Sequence, residues 1–232
     1  MKNYSFIISL VCLAMNVKAQ GFTFKPYELS VEVFKTDGRP FVNAPTDIEG
    51  TPFFDEAWKP AIVVLQSAKT VGNVKMRLNL QTQEAHFLDK NNAEMAVPAG
   101  LIKEIRFTMT PGPDSLMLTF REGFPPVDGQ DHNNFYLILL EGKIALVCAL
   151  SKSVVTKKDP ISGEVKKEFV NYENYYLFRN GSMVRVRKDK GFIISQLSDR
   201  RDQISEFVDK NRLNYRSIED IKKIIGYYNS FP

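Results

Sequence analysis

His86 and His132, with Cys12 and Cys148, are the only imidazoles and thiols in the chain. A Cys/His zinc site needs about four ligands, so only convergence of all four could build one. A Ser-His-Asp triad needs a histidine oriented by an acid and within reach of a serine. No G-x-S-x-G turn lies near either histidine. His86 falls in a short period-two run and His132 in a polar stretch, and both read as surface or turn residues. Asp128, Asp131, His132 and Asn133 form the densest set of ligand-type side chains. Loop oxygens at short spacing suit a hard cation such as Ca²⁺. However, Asp128 and Asp131 lack the alternate-position spacing of an EF-hand loop, and no glutamate follows at the right distance. The stretch therefore reads as a connecting loop. No glycine-rich phosphate loop precedes a helix. No metal and no cofactor is expected.

Paired carboxylates for glycoside hydrolysis would have to come from separate strands. Glu84, Glu94, Glu104 and Glu173 are the candidates, and each sits at the polar parity of its segment. A solvated sheet face accounts for all four. Aromatic residues are the other binding chemistry. Phe53, Phe54 and Trp58 lie in residues 38–60, beside Pro40, Pro45, Pro52 and Pro60. Aromatics on a stiff loop either lid a core or anchor a partner. A second cluster, Tyr172, Tyr176 and Phe178, shares one parity with Val170 and reads as core-facing. Residues 179–232 hold twelve Lys/Arg against seven acids. Acids are interleaved there (Asp199, Asp202, Glu206, Asp209), as on a solvated helix surface. Weak contact of this segment with an anionic envelope surface is the expectation that its charge leaves open.

These residues must be positioned by 232 residues with 44% apolar and 25% charged composition, which is ordinary for a globular chain with a real core. The formal charge of +4 is too small to imply nucleic acid as a partner. To about residue 187 the dominant hydrophobic period is two: Val74, Met76, Leu78 and Leu80 alternate with polar residues, as do Val184 and Val186. That is the pattern of half-buried strands. Residues 135–140 and 144–150 are apolar on both parities, and Glu141-Gly142-Lys143 joins them as a hairpin turn would. They are predicted to be central strands covered on both faces. Cys148 then reads as a buried, inert thiol. Asn180-Gly181 predicts a further tight hairpin. After Lys190 the period becomes about 3.6, with Ile204, Phe207 and Val208 in one stripe and Ile218, Ile221, Ile224, Ile225 and Tyr228 in another. Ser198 and Ser217 are the expected N-caps. The predicted class is α+β: a mainly antiparallel body of about ten to twelve short strands (meander, sandwich or open barrel) over residues 20–187, with a packed helix pair over 188–232. The proline density of residues 38–60 argues against regular structure there.

Residues 1–19 read as a secretory leader. Lys2 precedes an apolar run to Met15, and Val17-Lys18-Ala19 places small residues for cleavage between Ala19 and Gln20. The run is too short for a bilayer span of about 20 residues. Cleavage would remove Lys2, Lys18 and Cys12, leaving Cys148 as the sole thiol of a periplasmic or extracellular protein.

Two blocks complete the pattern. One is Gly50-Thr51-Pro52-Phe53-Phe54, then Trp58-Lys59-Pro60 with Ala61-Ile62-Val63-Val64-Leu65, and later Ile102-Lys103-Glu104-Ile105-Arg106-Phe107. The other is Tyr176-Leu177-Phe178-Arg179-Asn180-Gly181-Ser182 with a tail ending Tyr227-Tyr228-Asn229. Together they resemble a group of exported envelope proteins of Gram-negative bacteria to which no activity is assigned. The resemblance implies export and a strand-rich body, and transfers no functional residues. The expectation is a soluble, non-enzymatic envelope protein with a binding or assembly role, whose partner is an envelope protein or a glycan. The alternative is a periplasmic hydrolase using paired carboxylates on the same scaffold.

Overall fold

The computed structural model describes residues 39–40, 47–110, 116–158, 160–161 and 163–232. The predicted leader and its cleavage site at Ala19 and Gln20 lie outside them, as does much of 38–46. Among the described residues twelve strands form one sheet: β1 Arg39–Pro40, β2 Ile48–Glu49, β3 Lys59–Leu65, β4 Thr70–Asn79, β5 Glu84–Leu88, β6 Glu94–Ala96, β7 Ile102–Thr108, β8 Met117–Arg121, β9 Tyr136–Leu140, β10 Ala145–Lys158, β11 Val165–Arg179 and β12 Ser182–Arg185. Three helices follow: α1 Lys190–Gln196, α2 Arg201–Asn211 and α3 Ile218–Asn229. The α+β class is thus the observed one. The helical part holds three helices rather than a pair.

The order across the sheet is β1-β6-β5-β4-β3-β7-β8-β9-β10-β11-β12. Every pairing is antiparallel except β2, which lies parallel to β11. From β3 to β12 most neighbours are sequential hairpins, so the period-two segments find their partners locally. The sheet also curls onto itself. The Lys152 amide donates to the Leu80 carbonyl at 3.1 Å. The Gln83 side chain donates to the Leu150 carbonyl at 3.0 Å and accepts from the Phe135 amide at 3.2 Å. These bonds tie the β4–β5 turn to the β9–β10 side. Inside the curl lies the largest core, with Val63, Leu65, Val74, Met76, Phe87, Ile105, Phe107 and Phe120 all buried.

β10 is covered on both faces near its start, whereas β9 buries Tyr136 and leaves its other four residues half-buried. Leu146, Val147, Cys148 and Ala149 are consecutive and buried. Val147 and Ala149 join Tyr136, Tyr176 and Phe124 in one cluster, while Leu146 and Ile144 meet the helices in another. Burial pushes the Cys148 thiol up to about 12, which removes the thiolate needed for reaction. The helices bring Ile193, Ile204, Val208, Ile221, Ile224 and Ile225 to that second cluster. Each helix is too short to persist alone, and this apolar contact holds it. Ser217 caps α3 by accepting from the Asp220 amide at 3.3 Å. Ser198 is not an N-cap: α1 starts earlier, at an Asp189 cap whose carboxylate accepts from the Phe192 amide, and Ser198 only opens a 3₁₀ turn. At the far end of α3, Asn229 exchanges two hydrogen bonds with the backbone of Ile144. A Cβ on Gly142 would lie 2.3 Å from the Asn229 amide nitrogen. This turn therefore needs glycine to let the helix end approach.

Three expectations are corrected. The proline-rich stretch is not devoid of strand: β1 and β2 are two residues each, and Pro60 sits near the start of β3, where proline is tolerated. His86 is not at the surface; β5 lies between β4 and β6 and the ring is fully buried. Glu104 is not on a solvated face; it is 5% exposed, because β7 is an interior strand with covered faces there. Among the described residues no helix is long and apolar enough to cross a membrane.

Candidate functional site

Where β8 ends, the chain carries an acid inward. Leu118 and Phe120 pack into the large core, and Glu122 continues their parity. The Glu122 amide donates to the Lys103 carbonyl at 3.1 Å, which extends the β7–β8 pairing by one bond. Gly123 then turns the chain at φ +90°, and its amide donates to the His132 carbonyl at 2.7 Å. The loop doubles back through Asp128 and Gly129, both at positive φ, between the paired Val127 and Gln130. This is the Asp-Gly turn that favours two left-handed residues. Asp131 and Asn134 close the loop. The Asp131 amide donates to Asn134 Oδ1, and Asp131 Oδ1 accepts from the Asn133 amide, each at 2.8 Å.

Opposite stands the β4–β5 turn. Its Gln83 is at φ +59° and its side chain is spent on Leu80, Leu150 and Phe135. Between turn and loop opens a cleft of about 400 Å³. Gln81, Thr82 and Glu84 form one wall, Asp131, Asn133 and Asn134 the other, and Glu122, Ile102 and Phe135 lie deeper. Its size is that of a small-molecule site.

Glu122 is 5% exposed, and its carboxyl makes no hydrogen bond or ion pair with the described residues. Burial, then the charge of Asp131, pushes it up to about 8. At neutral pH it holds its proton and can donate a hydrogen bond. Two further buried polar atoms behind this loop, Gln130 Oε1 and the Tyr136 hydroxyl, have no partner among the described residues. Neither residue lines the cleft.

The remaining sequence candidates are distributed elsewhere. Phe53 is 5% exposed, edge-on to His86 at 5.3 Å, with the Arg77 guanidinium 3.6 Å from its ring centre. Phe54 is half-buried and meets Phe120 edge-to-face at 5.1 Å. Trp58 is half-buried, with Arg77 4.6 Å from its ring. The backbone around them is stitched down: Phe54 to Leu78 and Leu80 to Pro52, each at 2.8 Å, and Lys152 Nζ to the carbonyls of Thr51 and Phe53. Phe54 packs against the large core, while Phe53 and Trp58 flank the Arg77 guanidinium. His86 Nδ1 lies 2.6 Å from Glu94, which also binds Arg77. Burial lowers the His86 pKa against the pull of Glu94, so the neutral ring donates to the carboxylate. Glu84 and Glu173 are exposed, whereas Glu104 is held by Arg106 and Arg121. Asp128 accepts from the Tyr176 hydroxyl at 3.1 Å. Among the described residues no three His, Cys, Asp or Glu side chains converge as metal ligands.

Glu122 was the residue that sequence reasoning missed. Its signal was present: an acid at the inward parity of Leu118 and Phe120, just before a glycine. Compared with protein-family models, with curated proteins and with solved structures, the chain matches none of them.

Proposed function

We propose that this is an exported, non-enzymatic binding protein of the cell envelope, and that its ligand is a neutral glycan taken up in the cleft beside Glu122. The leader-like pattern of residues 1–19 supports export. The observation that carries the binding reading is the cleft itself: amide and hydroxyl side chains on its rim above a neutral carboxylic acid. The lining also carries the exposed acids Glu84 and Asp131 and no cation, which disfavours an anion, while its amides and the Thr82 hydroxyl offer donors and acceptors to a polyhydroxylated, uncharged ligand. The aromatic loop then serves stability, and the polar cleft takes over the recognition expected of Phe53, Phe54 and Trp58.

Calorimetric titration with neutral oligosaccharides tests this. Ala99 is exposed at the cleft wall. Ala99→Trp should fill the cleft and abolish binding while leaving the melting temperature near wild type. Absence of binding across the panel, or full binding by Ala99→Trp, would refute the reading.

A hydrolase is the second reading, and one observation favours it. Glu122 retains a proton at neutral pH in the same cleft as Asp131, and glycoside hydrolysis needs one protonated and one ionised carboxyl. Binding is preferred because Asp131 is on an exposed loop with one oxygen committed to the Asn133 amide. Reducing-end release that Glu122→Gln abolishes, with binding retained, would reverse the preference.

A further inference from the structure

Glu122 is also the wall of a second cleft, of about 420 Å³, on its other side. Here the lining changes character. Phe124, Ile138, Ala145 and Phe178 make a continuous apolar wall, with the Phe124 and Phe178 rings edge-to-face at 5.2 Å. These side chains belong to the small cluster on the outer face of β9–β11. They are only partly closed over: Ile138, Ala145 and Phe178 remain half-buried. An apolar wall left open at a concave site is an unfinished core that a ligand can complete.

The rim is charged. Arg121 is matched, one guanidinium nitrogen on Glu104 at 2.5 Å and another on Glu141 at 2.8 Å. Lys103 lines the cleft, is exposed, and makes no ion pair with the described residues. Glu122 adds no negative charge at neutral pH, since burial keeps its proton on. Arg121 is thus spent on two carboxylates, and Lys103 is the cation of the lining left without one, beside an apolar wall.

From this juxtaposition we propose that the second cleft binds a monocarboxylate with an apolar tail, its head at Lys103 and its tail against Phe124, Ile138 and Phe178. The head gains a charge-assisted bond from the ammonium. The tail gains burial without displacing any hydrogen bond of the protein, because the wall is side-chain hydrocarbon.

Decanoate is the probe, and decanol the neutral control with the same tail. Calorimetry on the full chain at neutral pH should show decanoate binding at submillimolar concentration and decanol at least tenfold more weakly. Lys103→Glu should weaken decanoate at least tenfold and leave decanol unchanged. Ala145→Phe, which fills the space against the wall, should abolish both, and melting temperatures verify that both variants fold. Neither position lines the first cleft, so these outcomes are separate from the test of glycan binding. The proposal is overturned if decanoate does not bind, if decanol binds as well as decanoate, or if Lys103→Glu binds decanoate like wild type.

Discussion

Glu104 on β7 and Glu122 at the end of β8 are equally little exposed, 5% each, on neighbouring segments of one sheet. Their protons behave oppositely. Glu104 faces Arg121 directly across the β7–β8 register and also accepts from Arg106 Nε at 2.6 Å. Burial alone would raise its pKa, but the two guanidinium groups outweigh that and hold the carboxyl below its ordinary value. Glu122 is as little exposed but sits deeper among protein atoms, has no cation in contact, and burial wins: it is pushed up to about 8. Low exposure alone therefore does not decide the charge of an acid in this sheet. Contact with a cation tips the balance. Two guanidinium groups in contact make one carboxyl a structural anion, and the lack of any cation in contact makes the other a proton donor lining two clefts.

Removing the titration of Glu122 should give the largest effect. Its folded pKa is raised, so between about 4.5 and about 8 the folded state binds more protons than the unfolded state. Stability must then fall as pH rises through that window, and stay low above it. Glu122→Gln keeps the shape and donors but cannot ionise. At pH 9 it should be more stable than wild type by roughly 2–4 kcal/mol, with the gap closing toward pH 4.5. Urea unfolding across pH measures this. A constant gap would mean that Glu122 is ionised in the folded protein.

The converse change makes Glu104 resemble Glu122. Arg121→Leu keeps an apolar stem but strips the carboxyl of its main cation, leaving Arg106. The expected cost at pH 7 is about 2–3 kcal/mol, since a buried charge loses a partner while one remains. In wild type the lowered pKa of Glu104 contributes stability that is present above its ordinary value near 4.5 and is lost as pH falls through the folded value. In Arg121→Leu that contribution is diminished. Its deficit should therefore shrink on acidification, when Glu104 takes up a proton. A deficit that is the same at pH 3 and pH 7 would assign the cost to lost packing instead.

The same contrast explains what the sequence made legible. The hairpin at Glu141-Gly142-Lys143 and the doubly buried Cys148 were readable because period and turn chemistry are local. The α3 cap at Ser217 was readable for the same reason. The first helix was not: α1 has seven residues, less than two full heptads of pattern, and its Asp189 cap precedes only Phe192, Ile193 and Ile194 as apolar signal. Glu104 and Glu122 each have a cation next across the β7–β8 pairing, Arg121 and Lys103, and differ in whether that cation reaches the carboxyl: Arg121 does, whereas Lys103 is exposed and makes no ion pair with Glu122. One irregularity, the shift between Val64 and Leu65 in the β3–β7 pairing, places Ile102 and Ile105 both inward and breaks simple alternation. His86 was misread because nothing local announces that β6 and Phe53 cover it. The walls of the first cleft meet through Gln83, whose three hydrogen bonds reach residues 52 and 67 positions away as well as its own turn. Such convergence has no period to read.

Arg106 sharpens the comparison at its weak end. It approaches Glu104 from the same strand, two residues on, and its side chain is 46% exposed, against 29% for Arg121. Water screens an exposed guanidinium, and holding a long side chain in place costs entropy. Arg106→Gln should therefore cost only about 0.5–1 kcal/mol in wild type. In the Arg121→Leu background Arg106 is the last cation on a buried carboxylate, and the same substitution should cost clearly more. A thermodynamic cycle over the two changes measures that coupling directly. Strong coupling means that the two arginines share one anion and either one can keep it charged. Additive costs would mean that Glu104 already shifts toward its protonated form when Arg121 is lost, so that a single missing cross-strand cation is enough to turn one kind of carboxyl into the other.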